Sequence, residues 1–308
     1  MTGFSHRHLL CIAQLSAADI NSILDTAEAF AEVAHRPVRK VPTLRGKTVM
    51  TVFYEASTRT RVSFELAAKR LSADLVNVSV ATSSVKKGES LRDTCATLMA
   101  MHPDLLVLRH PSSGAAHFVA SEMDCSVINA GDGMHAHPTQ ALLDALVLRR
   151  RFGRLSGLKV AICGDALHSR VARSTGRLLQ RMGSEVRLVG PRTLVPGTFA
   201  ALGFVLHHEL AAGLRGVDAV IGLRVQRERL SGSFFGSDAE YHHFFGLQTE
   251  RLQAWAPEAA VLHPGPMNRG VEIESTLADG AQSLIQSQVS AGVAVRMALF
   301  YLLAGDPR

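Results

Sequence analysis

The sequence is short of cysteine, tryptophan and tyrosine, with four, one and three of them among 308 residues. Cys11, Cys95, Cys125 and Cys163 lie far apart and form no CxxC pair. That argues against a disulfide framework and against a cysteine-rich zinc site. Long apolar runs are missing too. The most apolar stretch, 289–304, is interrupted by Arg296, whereas a spanning helix needs about 20 largely uncharged residues. A buried helix is expected there, and no membrane partner. The opening residues, MTGFSHRHLLCIAQLS, have neither the apolar core nor the small-residue cleavage site of a secretory leader. A cytoplasmic location is the expectation. The chain also lacks internal repeats, low-complexity tracts, a GxxxxGK[ST] loop and a GxGxxG turn. Neither a Walker-type nucleotide site nor a nicotinamide cofactor is therefore predicted.

What is present suits a folded globular protein. Hydrophobic residues make up 47% of the chain and charged residues 19%, enough to bury a full core and too apolar for disorder. The length fits about two domains. A formal net charge of +6 favours an anionic partner: phosphate, dicarboxylate, nucleic acid or a membrane surface. The basic residues form no run and no aromatic-interleaved stripe, so nucleic acid is not expected.

Strand-length apolar runs alternate with helix-period segments. Residues 47–54 (KTVMTVFY), 75–80, 104–108 and 126–129 read as strands, with helices predicted over 61–71, 89–101, 115–122 and 138–152. The pattern then restarts with strands at 158–163 (LKVAIC), 185–189 and 218–223 (DAVIGL) and a helix over 169–182. Near-continuous apolar strands in βα alternation predict parallel sheets covered by helices on both faces. The expected architecture is α/β: two domains, 1–150 and 151–308, each a parallel sheet flanked by helices. The polar patch Arg149-Arg150-Arg151 marks the boundary. A long apolar helix over 282–303 is expected to pack back on the first domain. Residues 232–246 (GSFFGSDAEYHHFFG) break the alternation and read as a loop that closes as a lid.

Ligands of parallel sheets bind beyond the carboxyl ends of the strands. After the first strand comes Ser57-Thr58-Arg59-Thr60-Arg61, directly before a helix. Ser57 suits an N-cap, the first-turn N–H groups favour an anion, and hydroxyls with forked guanidiniums suit phosphate. The plainer alternative is a capped surface helix with solvated arginines. Arg109 leads out of another strand, and His137 stands before a helix, placed to donate a hydrogen bond to a carbonyl oxygen. His135 and His137 invite a metal reading, but no acidic or cysteine cluster accompanies them, and no metal is expected. Further on, Gly164-Asp165-Ala166-Leu167-His168-Ser169-Arg170 follows one strand and Arg224-Val225-Gln226 another. Arg170 and Arg224 are expected to face one crevice, with interdomain salt bridges as the competing role.

Six motifs then occur together and in order: SxRTRxSFExA at 57–67, RHPSSGA at 109–115, HPTQALLD at 137–144, GDxxHSRVARS at 164–174, LRVQxER at 223–229 and HPGPxNRGVEI at 263–273. Across essentially its whole length the chain resembles the catalytic chains of the aspartate carbamoyltransferases. The resemblance implies condensation of carbamoyl phosphate with L-aspartate, without a cofactor, as the committed step of pyrimidine synthesis. It implies that Ser57, Thr58, Arg59, Thr60 and Arg109 hold the phosphate and that Thr60, Arg109 and His137 surround the carbonyl oxygen. Gln140 and the Gly265-Pro266 backbone would hold the carbamoyl nitrogen, and Arg170, Arg224, Lys87 and Gln226 the aspartate. It also implies a homotrimer whose sites are completed by a neighbour's loop, with Ser84 and Lys87 as the residues assigned there. Ornithine carbamoyltransferase is the nearest rival, but His263-Pro264-Gly265-Pro266 lacks the cysteine those enzymes carry. Any nucleotide-responsive regulatory chain would be a separate polypeptide. Association with one, with a dihydroorotase, or a trimer standing alone all stay open.

Overall fold

The computed structural model describes residues 4–78, 88–226 and 236–304. They form two compact units, one running to Leu143 and resuming at Val289, the other Asp144–Gln288. The first holds α1 (Ala17–Ala31), β1 (Thr48–Phe53), α2 (Thr58–Arg70), β2 (Asp74–Val78), α3 (Leu91–Met99), β3 (Leu105–His110), α4 (Ala115–Glu122) and β4 (Ser126–Asp132). Helix α5 (Pro138–Phe152) follows, and the units divide inside it. The second unit continues with β5 (Lys159–Cys163), α6 (Arg170–Arg181), β6 (Glu185–Val189), β7 (Val205–His207), α7 (Leu210–Leu214) and β8 (Ala219–Gly222). Then come α8 (Asp238–Phe245), α9 (Thr249–Trp255), β9 (Ala260–Leu262), α10 (Ser275–Ala278) and α11 (Ile285–Leu303), which ends in the first unit.

Both sheets are parallel, as the uninterrupted apolar strands require. Their orders are β2-β1-β3-β4 and β7-β6-β5-β8-β9. In each, the chain builds outward on one side of its first strand and then crosses to the other. The reversal falls between β1 and β3 in the first sheet and between β5 and β8 in the second. Crevices at such reversals are where doubly wound sheets bind ligands. The register brings Phe53 beside Arg109 in one unit and Cys163 beside Gly222 in the other.

Helix α2 shows how the sequence sets the packing. Thr60, Ser63, Phe64, Ala67 and Ala68 are buried, the i, i+3, i+4, i+7 stripe of an amphipathic helix. Helix α11 is apolar nearly all round and returns to the first unit as expected. Its Phe300 meets Phe64 of α2 with ring centroids 5.7 Å apart, and its Tyr301 meets Phe30 of α1 at 5.6 Å.

One expectation needs correction, and the point where the compact units part is placed more finely. The Arg149-Arg150-Arg151 patch is the last turn of α5, the helix expected over 138–152, where cations favour the helix dipole. The units part earlier, between Leu143 and Asp144. The supposed loop over 232–246 is helical from residue 238: Ser237 caps α8 through the amide of Glu240, and Tyr241 packs against Leu194 and Val225. Residues 232–235, where a lid was expected to begin, lie outside the described residues.

Candidate active site

In the first unit the residues at the β1/β3 reversal come together. Ser57 is the N-cap of α2, yet its hydroxyl makes no capping bond, which leaves the first-turn N–H groups facing outward for an anion. Thr58 and Arg59 are exposed and Thr60 is buried. Arg109, at the end of β3, stands 3.5 Å through Nη1 from both the Thr60 hydroxyl and the Ala130 carbonyl. Its Nε lies 3.2 Å from the Glu55 carboxylate, so the guanidinium is aimed before any ligand arrives. Glu55 was not singled out by the sequence reading. An acidic residue beside a phosphate motif carries no pattern of its own.

His137 and Gln140 are both buried, at 5% and 8% exposure, where the chain enters α5. Behind His137 the Thr139 hydroxyl lies 3.4 Å from the ring Nδ1. Arg296 of α11 in turn reaches Thr139 Oγ1 at 3.5 Å and donates to the Gly292 carbonyl at 2.9 Å. Its guanidinium lies 4.8 Å over the Phe64 ring. Burial, with the charge of Arg109 adding, pushes Arg296 down to about 9, so it stays cationic at neutral pH. A guanidinium has no acceptor. The Thr139 oxygen therefore accepts from Arg296 and is free to give its own proton to His137 Nδ1. A proton given to Nδ1 in this way favours the tautomer that carries its own proton on Nε2.

Asp132, at the end of β4, is a second unforeseen organiser. Its buried carboxylate accepts from Gly114 N at 2.7 Å, Asn129 Nδ2 at 2.7 Å and Ala136 N at 3.1 Å. It also pairs with His135 Nδ1 at 3.0 Å. The next residue, Gly133, sits at φ +46°, where an added Cβ would lie 2.6 Å from the Ser113 amide. Only glycine fits that approach. The turn that leads to His137 is thereby fixed at both ends.

In the second unit the β5/β8 reversal gathers the other set. Arg170 is the first residue of α6 and is buried at 6%, with Ser169 capping the helix through the Ala172 amide. Arg224 and Gln226 follow β8 and are half-buried. Asp165, fully buried, accepts from the His168 amide at 3.0 Å and pairs with its ring Nδ1 at 2.9 Å. The Gln226 amide approaches the same carboxylate at 3.4 Å, so one aspartate ties the turn after β5 to the segment after β8. Gly164 lies at φ +128°, with the Leu223 carbonyl 2.7 Å from where a Cβ would stand.

Gly265 and Pro266 are joined by a cis peptide bond. The loop that bears them hangs on His263, which accepts from the Gly265 amide at 2.9 Å and stands 3.4 Å from Glu272. The His263 amide donates to Gln288 Oε1 at 2.9 Å, and Gln288 Nε2 donates to Asp144 at 2.7 Å. Thr175 occupies the other Asp144 oxygen at 2.9 Å. Asp144 and Gln288 are buried and satisfy one another, as an interior polar network should, whereas His263 Nε2 and Glu272 Oε2 are buried with no hydrogen-bond partner among the described residues. The expected residues thus divide between the units: Ser57, Thr58, Arg59, Thr60, Arg109, His137 and Gln140 in the first, Arg170, Arg224, Gln226, Gly265 and Pro266 in the second. Ser84 and Lys87 lie outside the described residues.

Residues 7–150 match the family model of the aspartate/ornithine carbamoyltransferase carbamoyl-P binding domain, and residues 156–303 match that of the Asp/Orn binding domain. The chain belongs to the aspartate/ornithine carbamoyltransferase family. It is 60% identical over 303 residues to the aspartate carbamoyltransferase catalytic subunit of Sorangium cellulosum, covering 98% of this chain and 94% of that protein. Its identity to the Bradyrhizobium diazoefficiens catalytic subunit is 58% over 299 residues, 97% and 95% of the two chains. Among solved structures, Trypanosoma cruzi aspartate transcarbamoylase with carbamoyl aspartate and phosphate superposes with a TM-score of 0.86 at 30% identity, over 96% and 95% of the chains. The catalytic subunit of M. jannaschii aspartate transcarbamoylase gives 0.84 at 33%, over 98% and 99%.

Proposed function

We propose that this chain transfers the carbamoyl group of carbamoyl phosphate to the α-amine of L-aspartate, giving N-carbamoyl-L-aspartate and phosphate, the committed step of de novo pyrimidine biosynthesis. The observation that carries the choice of acceptor is Arg170 and Arg224, with Gln226, at the β5/β8 reversal. Two guanidiniums offset the desolvation of a dicarboxylate and would repel the cationic side chain of ornithine. The names of the relatives point the same way: both bacterial proteins are aspartate carbamoyltransferase catalytic subunits. A T. cruzi structure of that enzyme holds carbamoyl phosphate and aspartate.

In this reading the first-turn N–H groups of α2, with Ser57, Thr58, Arg59, Thr60 and Arg109, hold the phosphate. Thr60, Arg109 and His137 surround the carbonyl oxygen, and Gln140 with the Gly265-Pro266 backbone holds the carbamoyl nitrogen. Arg170, Arg224, Gln226 and Lys87 take the aspartate carboxylates. The neutral amine attacks the carbamoyl carbon, an N–C bond forms, and negative charge gathers on the carbonyl oxygen. Fixed donors there stabilise the transition state more than the ground state. The C–O bond to phosphate then breaks, and the leaving phosphate takes the amine proton. Orienting two anions against their mutual repulsion is the larger task, which is why the site is rich in fixed cations.

The assembly in this reading is a cytoplasmic homotrimer, with Ser84 and Lys87 entering a neighbour's site. Val62 and Leu66 on α2 and Val76 on the edge strand β2 are 44%, 40% and 43% exposed, an apolar face of the kind a second copy covers. Mixing two inactive variants, Lys87→Ala and Arg59→Ala, restores activity through hybrid trimers if sites are shared. Confirmed subunit exchange without rescue contradicts that. The reaction itself is tested by supplying carbamoyl phosphate with L-aspartate and with L-ornithine in parallel. Product from aspartate alone is expected. Product from ornithine would overturn the acceptor assignment while leaving the phosphate cradle standing.

A further inference from the structure

The family chemistry leaves one cluster unused. His117, Asp132 and His135 each offer a ligand atom, and these atoms lie within 4.8 Å of one another. His117 comes from α4, Asp132 from the end of β4 and His135 from the turn that follows. The two imidazole rings meet edge-on with centroids 5.5 Å apart. Sequence alone marks no acidic cluster around His135. The fold supplies Asp132, and the contact with His117 could not be read from spacing because it joins separate elements.

We propose that His117, Asp132 and His135 form a binding site for a divalent transition-metal ion, with Zn2+ as the natural occupant. Two imidazoles and a carboxylate are a borderline donor set that suits zinc, cobalt and nickel over calcium or magnesium. The separation of His135 Nδ1 from Asp132 Oδ2 is 3.0 Å. Two ligands each about 2.0–2.2 Å from a tetrahedral zinc stand about 3.3–3.6 Å apart, so a few tenths of an ångström of movement by the His135 side chain lets an ion replace the proton these groups share. Asp132 is also preorganised. Its side chain is 1% exposed and is held by the Gly114 and Ala136 amides and the Asn129 side chain, the supporting bonds that a metal carboxylate needs. The His135 side chain is 37% exposed and His117 is exposed, which gives an ion a path from solvent and leaves room for water ligands. Binding there would clamp α4 to the 132–136 turn, beside the residues proposed to bind carbamoyl phosphate yet sharing none of them.

The test is a titration of the chelator-treated full-length protein with Zn2+ by calorimetry, and with Co2+ by visible absorption. His117→Ala and His135→Ala are titrated alongside. Asp132 is left intact because it holds the turn together. The parent is expected to bind one ion per chain, with ligand-field bands from Co2+ and a higher unfolding midpoint in Zn2+. Each variant should lose at least about tenfold in affinity while unfolding at the parent's midpoint in the absence of metal. Absence of binding by the parent, or affinity retained in either variant, would overturn the proposal. The second result would place the ion at other histidines.

Discussion

The two units share one plan and handle charge differently. Each is a parallel sheet whose order reverses beside its first strand, and each gathers its polar residues there. In the first unit the groups proposed to hold the anion are largely backbone: the open first turn of α2, with hydroxyls around it. Its arginine at the reversal is steadied by Glu55, and a further buried cation, Arg296, contacts neutral groups behind it. In the second unit the positive charge is carried by side chains, Arg170 and Arg224, and a buried acid, Asp165, fixes the turn. Backbone amides suit a group that must always be bound in one way. Side chains can be exchanged in evolution to admit a different acceptor, which is where specificity belongs.

That contrast can be broken by mutation, and the first unit should suffer most in turnover. Arg59→Ala is expected to lower kcat by about 100-fold, with stability changed by less than about 0.5 kcal/mol because the side chain is exposed. Unchanged kcat in steady-state assays would remove Arg59 from the phosphate cradle. In the second unit Arg224→Ala should raise KM for aspartate by roughly 10- to 100-fold, the size of a lost hydrogen bond to a charged group. KM for carbamoyl phosphate should hardly move. Equal losses for both substrates would mark Arg224 as structural.

A smaller effect sharpens the account of the first unit. Thr139→Val keeps the buried shape but breaks the link from Arg296 to His137, and kcat should fall about tenfold. The readout specific to this role is the 15N signature of the His137 ring, which should shift from one tautomer to a mixture. A tautomer unchanged in the variant would leave Thr139 a packing residue. The smallest effect concerns pH. Burial, partly offset by the charge of Glu55, holds His110 below the ordinary imidazole range. The unfolded chain therefore takes up a proton near pH 6.5 that the folded chain refuses. The stability due to neutral His110 is complete above that pH and is lost as pH falls through it. Thermal midpoints should decline from pH 7 to 5.5, less steeply in His110→Asn; parallel declines would clear His110.

Much of this molecule was legible from its residues alone. Helices α4 and α5 and strand β6 begin and end where periodicity places them, because each apolar face is bounded by turn residues or a charge. The strand ends pointed to the site for a general reason, the binding preference of parallel sheets. Positioning residues were hidden. Glu55, Asp144 and Gln288 act through partners 25 to 144 residues away, or across a turn, and sequence spacing carries no trace of such pairs. Helix α8 reads as a loop in sequence because the glycines on either side of it, with its aromatics, mask a short amphipathic pattern anchored by Tyr241.

The most direct test of the division of labour is calorimetric binding of inorganic phosphate to the parent, Arg59→Ala and Arg224→Ala proteins. Phosphate should bind the parent and Arg224→Ala alike and bind Arg59→Ala at least about tenfold more weakly. Equal weakening in Arg224→Ala and Arg59→Ala would contradict the account, because the phosphate would then depend on the unit assigned to the acceptor.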